Sequence, residues 1–194
     1  MAETNKKNKV KFALKRAYYA VATVDETTGA VTYAAPVRIP GAVSMSLSAE
    51  GDQNVLRADA TDYYVANSNN GYSGDVEFAL IPDDFRQSCL GEALNATDKV
   101  LFEKSDAEIT PFALLFEVEG DKKATRHALY MCYASRPSLE AENPEGREAK
   151  TESITIKAVP RETDNIVKVK TTSETSDTVY NAWYTAVYEP SDGE

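Results

Sequence analysis

The chain has a single histidine, two cysteines, one tryptophan and three methionines among its 194 residues. One histidine leaves a serine or cysteine nucleophile with only one imidazole to call on, and no G-x-S-x-G turn accompanies it. His127 lies in an alternating stretch, 126–134, and reads better as a strand residue than as a general base. The cysteines, Cys89 and Cys132, stand 43 positions apart with no metal-ligand spacing around them, which points to packed, reduced thiols. The chain also lacks any apolar run long enough to span a bilayer, and its polar, lysine-bearing start has no apolar stretch of the kind that directs secretion. The expectation is a protein made and kept in a cytosol, without membrane contact.

Basic charge is short as well. Lys and Arg total 21 against 31 Asp and Glu, a net charge of −10, so phosphate-seeking attraction to nucleic acid is not expected of the whole molecule. The imbalance is uneven. Lys6, Lys7, Lys9, Lys11, Lys15 and Arg16 against Glu3 give the first 16 residues +5 and leave −15 for the rest. The basic start suits docking on acidic neighbours, with residues 1–9 expected as a flexible arm. The scattered carboxylates Asp59, Asp62, Asp75, Asp83 and Asp84 lack the spacing of a calcium loop and read as solvated surface groups. Paired acids for glycoside cleavage meet the same objection, and Asn95-Ala96-Thr97 is a chance sequon. No catalytic residue, metal ligand or cofactor site is expected, and the chain is not read as an enzyme.

What is present is period-two alternation. Val43, Met45 and Leu47 interleave with serines, Ile154, Ile156 and Ala158 with Ser153, Thr155 and Lys157, and Val167 and Val169 with Lys168 and Lys170. Phe112, Leu114, Phe116 and Val118 share one face of another such run. Gly29 separates strands near 18–24 and 31–39, Gly120-Asp121 separates 114–118 from 124–134, and both read as hairpins. Pro82, Asp83 and Asp84 open a short helix whose Phe85, Cys89 and Leu90 share a face and whose end is marked by Gly91. A second candidate helix covers 177–184. The fold class is mainly β, an antiparallel sandwich or barrel with one or two short flanking helices, in a single domain over 1–194. Residues 51–71 and 137–151 read as polar, turn-rich loops expected to be mobile in the free chain, and 189–194 as a short tail.

Tyrosine is abundant, with 11 residues, and the pairs Tyr18-Tyr19 and Tyr63-Tyr64 aim at both faces of a strand at once, so both faces need cover. Subunit contacts would supply it, since aromatic side chains are enriched there. Asn69, Asn70 and Tyr72 of the exposed Asn-Ser-Asn-Asn-Gly stretch, with Lys9 and Lys11 of the basic start, complete the candidate assembly contacts.

Several of these segments carry a family resemblance. Ile39-Pro40-Gly41-Ala42-Val43, Tyr63-Tyr64-Val65, 69–75 (Asn-Asn-Gly-Tyr-Ser-Gly-Asp) and Ala79-Leu80-Ile81-Pro82-Asp83-Asp84-Phe85 resemble segments of the major tail proteins of siphophages infecting Gram-positive bacteria. The resemblance continues through 111–116, 123–127, 134–137 and 180–188, in order, and covers roughly residues 10–190. It implies a tail-tube fold, assembly as six-membered rings stacked around a tape-measure protein, and contacts with tail terminator and tail initiator proteins. It also implies a lumen through which phage DNA passes without specific binding, a virion-tail location, and assembly in the bacterial cytoplasm. Some relatives carry an extra immunoglobulin-like domain that a chain of this length does not hold. Free passage of DNA leads us to expect a net-negative channel wall, because cationic walls hold phosphates.

Two other classes compete. A secreted-type β-sandwich carbohydrate-binding or adhesive module would show the same strands and tyrosines, but a secretion signal would be expected with it. A small hydrolase on a β scaffold requires a convergent polar site, which one histidine and scattered acids do not provide.

Overall fold

The computed structural model describes residues 7–139, 141 and 149–190. The elements are β1 Lys11–Val24, β2 Val31–Tyr33, β3 Val37–Ile39, β4 Ala42–Glu50, β5 Gln53–Ala58, β6 Thr61–Asn67, β7 Gly71–Phe78, α1 Asp83–Cys89, β8 Ala93–Leu94, β9 Leu101–Phe102, β10 Phe112–Gly120, β11 Thr125–Ala134, β12 Glu152–Val159, β13 Lys168–Lys170 and α2 Asp177–Ala182. The protein is mainly β and antiparallel, with two short helices, as the alternation requires.

One hydrogen-bonded path, β2-β1-β10-β11-β12-β7-β4, forms the body, with β3 added to β1 and β13 to β11. β1 also approaches β4, so the sheet curls back on itself. Its concave side is filled by Phe112, Leu114, Ile154, Ile156 and Val76, and α1 closes one part of it with Phe85, Cys89 and Leu90. Phe85 meets Tyr19 and Phe112 edge-on, at ring separations of 5.0 and 5.2 Å. The convex side carries Ala20, Ala113, Leu115, Ala128 and Tyr130, covered by Trp183, Val187 and Tyr184 from the C-terminal segment. β10 is therefore buried on both faces. Cys89 and Cys132 are free, buried thiols, each pushed up to about 12 by burial.

α2 is held down by a buried ion pair. Arg126 of β11 donates from Nε to Glu117 of β10 at 2.9 Å, and both side chains are less than a tenth exposed. Its guanidinium lies 3.8 Å over the Tyr180 ring and donates to the Tyr180 carbonyl. Ser176 caps α2 by accepting from the Val179 amide.

Three expectations are corrected. The stretch 31–39 is not one strand: Pro36, with no amide hydrogen to donate, splits it into β2 and β3, which pair with different parts of β1. Val43 does not share a face with Met45 and Leu47. A bulge makes it the extra residue between the pairs Ala42–Phe78 and Ser44–Glu77, and it turns outward. Residues 51–71 are not an irregular loop but form a hairpin, β5–β6, with one bulge at Tyr63. It closes through Asp59 and Ala60, both with positive φ (52° and 60°), the mirror-image turn that suits twisted ladders. Of the other loop, residues 140 and 142–148 lie outside the described residues. No described helix is long and apolar enough to cross a membrane.

Candidate assembly interface

The β5–β6 hairpin leaves the sheet between β4 and β7 and, among the described residues, has no substantial packing partner beyond its own ladder. Cross-strand partners point the same way, so Val55 and Val65 share one face and Leu56 and Tyr64 the other, while Tyr63 is the extra residue of a bulge between the pairs Leu56–Tyr64 and Arg57–Asp62. Both faces are bare: Tyr63 is 71% exposed, Tyr64 63% and Leu56 60%. An isolated two-stranded ladder is marginal in water, and a bare apolar one invites pairing with another chain. Arg57 and Asp62 bridge at 3.0 Å near the turn.

A groove of about 760 Å³ opens at one end of the concave side. Leu14, Met45, Leu47, Phe116, Val118 and Leu129 line it with carbon, and Lys9, Lys11, Lys168 and Lys170 stand around it with a single acid, Glu119. The start of β1 forms one wall, secured by Asp121. That carboxylate accepts from the Lys9 amide at 2.7 Å, and these backbone donors hold it below the ordinary carboxylate range. Phe12 continues the carbon lining into solvent. Lys168 donates to the Tyr72 hydroxyl at 2.7 Å and lies over that ring. Lys9, Lys11 and Lys170 have no carboxylate within bridging distance among the described residues.

His127 stacks on Phe116 with ring centroids 4.9 Å apart. Burial, then Lys168, Lys170 and Lys11, hold the imidazole down at about 4. A histidine with a depressed folded pKa contributes stability that is complete above pH 6.5 and is lost as pH falls toward 4. The melting temperature is expected to fall between pH 6.5 and 4.5, above most carboxylate titration, and to do so less in His127→Gln. Equal slopes in the two proteins would contradict this assignment.

The nominated assembly residues divide. Tyr63 and Tyr64 are bare on the hairpin, and Asn69 and Asn70 are exposed at its base, where Asn69 Oδ1 accepts from the Gly71 amide. Lys9, Lys11 and Tyr72 meet in the groove. Tyr18 and Tyr19 find their cover inside the chain, Tyr18 stacked on Tyr184 at 4.5 Å and Tyr19, 3% exposed, against Phe85. Residue reading missed Val55 and Leu56, because no Asn-Gly or Asp-Gly marked their turn. It also missed Lys168 and Lys170 as partners of Lys9 and Lys11, since only the curled sheet brings them together. Among the described residues no group of three or more His, Cys, Asp or Glu is arranged to hold a metal ion.

No family model and no curated protein sequence matches the chain. Among solved structures it is similar to the tube-terminating cap of the anti-feeding prophage, with a TM-score of 0.46 at 10% identity over 89% of this chain and 99% of that one. It is similar to a chain of the extended sheath–tube complex of an extracellular contractile injection system, at 0.44 and 11% over 81% and 88%. A chain of the extended sheath/tube terminator of such a system gives 0.46 and 9% over 84% and 98%. Likenesses this slight carry no functional weight.

Proposed function

We propose that this chain is a structural subunit of a phage tail, the major tail protein that builds the tube as stacked six-membered rings. The observation that carries the reading is the hairpin, with large apolar side chains bare on both faces, on a chain whose central strands β10 and β11 are covered on both faces from within. A ladder of this kind costs free energy in water unless another chain covers it. Hairpin and groove are different surfaces of one molecule, so contacts between copies would be head-to-tail, the kind that generates rings and open filaments. The family resemblance over residues 10–190 supplies the identity of the filament.

On this reading residues 1–194 act as one domain in the virion tail, assembled in the host cytoplasm. The partners are a tape-measure protein, a tail terminator and a tail initiator. DNA passes a net-negative lumen without specific binding. The role is structural, with no catalysis and no cofactor. Electron micrographs of the concentrated protein are expected to show rings or tubes of about 100 Å outer width, a size set by six domains around a pore. A chain that stays monomeric even with tape-measure and initiator proteins would overturn the proposal.

A further inference from the structure

We propose that the lysine-rimmed groove is the receptor for the β5–β6 hairpin of a second copy of this chain, an inference that rests on the assembly reading and names its contact. Two surfaces on the molecule lack what the other offers. The hairpin presents uncovered Leu56, Tyr63 and Tyr64 on a ladder without substantial packing partners among the described residues, and it needs an apolar host. The groove presents carbon from Leu14, Met45, Leu47 and Leu129, and about 760 Å³ of space for it.

Charge selects between possible occupants. Residues 51–70 contain Asp52, Asp59 and Asp62 against Arg57 alone, so the hairpin is acidic, and Asp59 stands at its turn. The groove sets Lys9, Lys11, Lys168 and Lys170 against Glu119, and none of these four lysines has a carboxylate of its own among the described residues. An apolar hairpin with an acidic tip fits an apolar floor with a cationic rim, and two basic rims or two acidic tips repel one another. This complementarity fixes direction, since hairpin meets groove and neither meets itself. The hairpin's strands continue into β4 and β7, whose Leu47 and Tyr72 line the same molecule's groove. A subunit that receives one hairpin therefore offers its own from the adjoining edge, and the contact can repeat along a row of copies.

The test uses full-length protein. Asp59→Cys and Lys170→Cys are made separately, mixed, and oxidised mildly; the two native thiols are buried. A disulfide-linked heterodimer is expected, at least tenfold more abundant than when Asp59→Cys is mixed with Glu26→Cys, which sits in the β1–β2 turn outside the groove. In parallel, Lys11→Glu/Lys170→Glu and Asp59→Lys/Asp62→Lys are each expected to raise the concentration needed for assembly at least tenfold, and the two variants mixed are expected to associate with each other. Wild-type tubes without the selective crosslink, or groove variants that assemble like wild type, overturn the groove as receptor while leaving the tube reading intact. A selective crosslink in protein that forms no ring or tube supports the docking and overturns the tube.

Discussion

Replacing Leu56 and Tyr64 together with aspartate is expected to abolish assembly at concentrations where the wild type polymerises, while the melting temperature of the monomer stays put. The two side chains share one face of the hairpin and are both mostly bare. Covering a large apolar side chain is worth about 1.5–3 kcal/mol, so losing two amounts to about 3–6 kcal/mol per contact. That corresponds to about a hundredfold to ten-thousandfold in the concentration required. The folded monomer has little to lose, because substitutions at exposed positions outside its packing usually stay within about 0.5 kcal/mol. Sedimentation velocity across a concentration series, with melting curves on the same samples, separates the two. Unchanged assembly in the double variant would remove the hairpin from the account.

Glu117→Ala is expected to destabilise the fold by about 3–5 kcal/mol, because breaking a buried pair leaves one charge without its partner. The guanidinium of Arg126 would keep the Tyr180 carbonyl and the Tyr180 and Tyr184 rings, none of which neutralises it. Arg16, 3.9 Å from Glu117, cannot substitute for the lost carboxylate since it carries the same sign as Arg126. The damage should be local as well as global: α2 and the Trp183 cover over β10 and β11 should exchange amide hydrogens faster than α1 does. Replacing both partners, Glu117→Leu with Arg126→Met, should recover much of the loss by removing the stranded charge. Denaturant unfolding reads both. A loss below about 1 kcal/mol in Glu117→Ala would mean the pair is solvated in practice.

Much of this was legible in the residues, and its limits have physical causes. Ile154, Ile156 and Ala158 alternate with polar residues and are buried as that pattern requires. The start of α1 at Asp83 and its buried Phe85 and Cys89 followed from proline, first-turn acids and helical spacing. Val43 departs from the alternation because a bulge shifts register by one residue, and register depends on the partner strand, which local pattern does not contain. The hairpin reads as a loop in the residues because an Asp-Ala turn with two positive φ values lacks the glycine that ordinarily announces one. The candidate interface was half legible. Tyr63 and Tyr64 announced two uncovered faces, whereas Tyr18 and Tyr19, the same dipeptide, are covered by Tyr184 and Phe85. Those partners lie 166 and 66 positions further along the chain, a distance over which a local pattern carries no information.

The most direct test of the central claim is a side-chain-resolution electron cryomicroscopy reconstruction of the assembled protein, read at Tyr63 and Tyr64. In the isolated chain these are 71% and 63% exposed. The account predicts six-membered rings in which both fall to roughly a tenth or less, as expected for residues at the centre of a subunit contact. Assemblies that leave the hairpin standing in solvent, or joined through other surfaces alone, would contradict it.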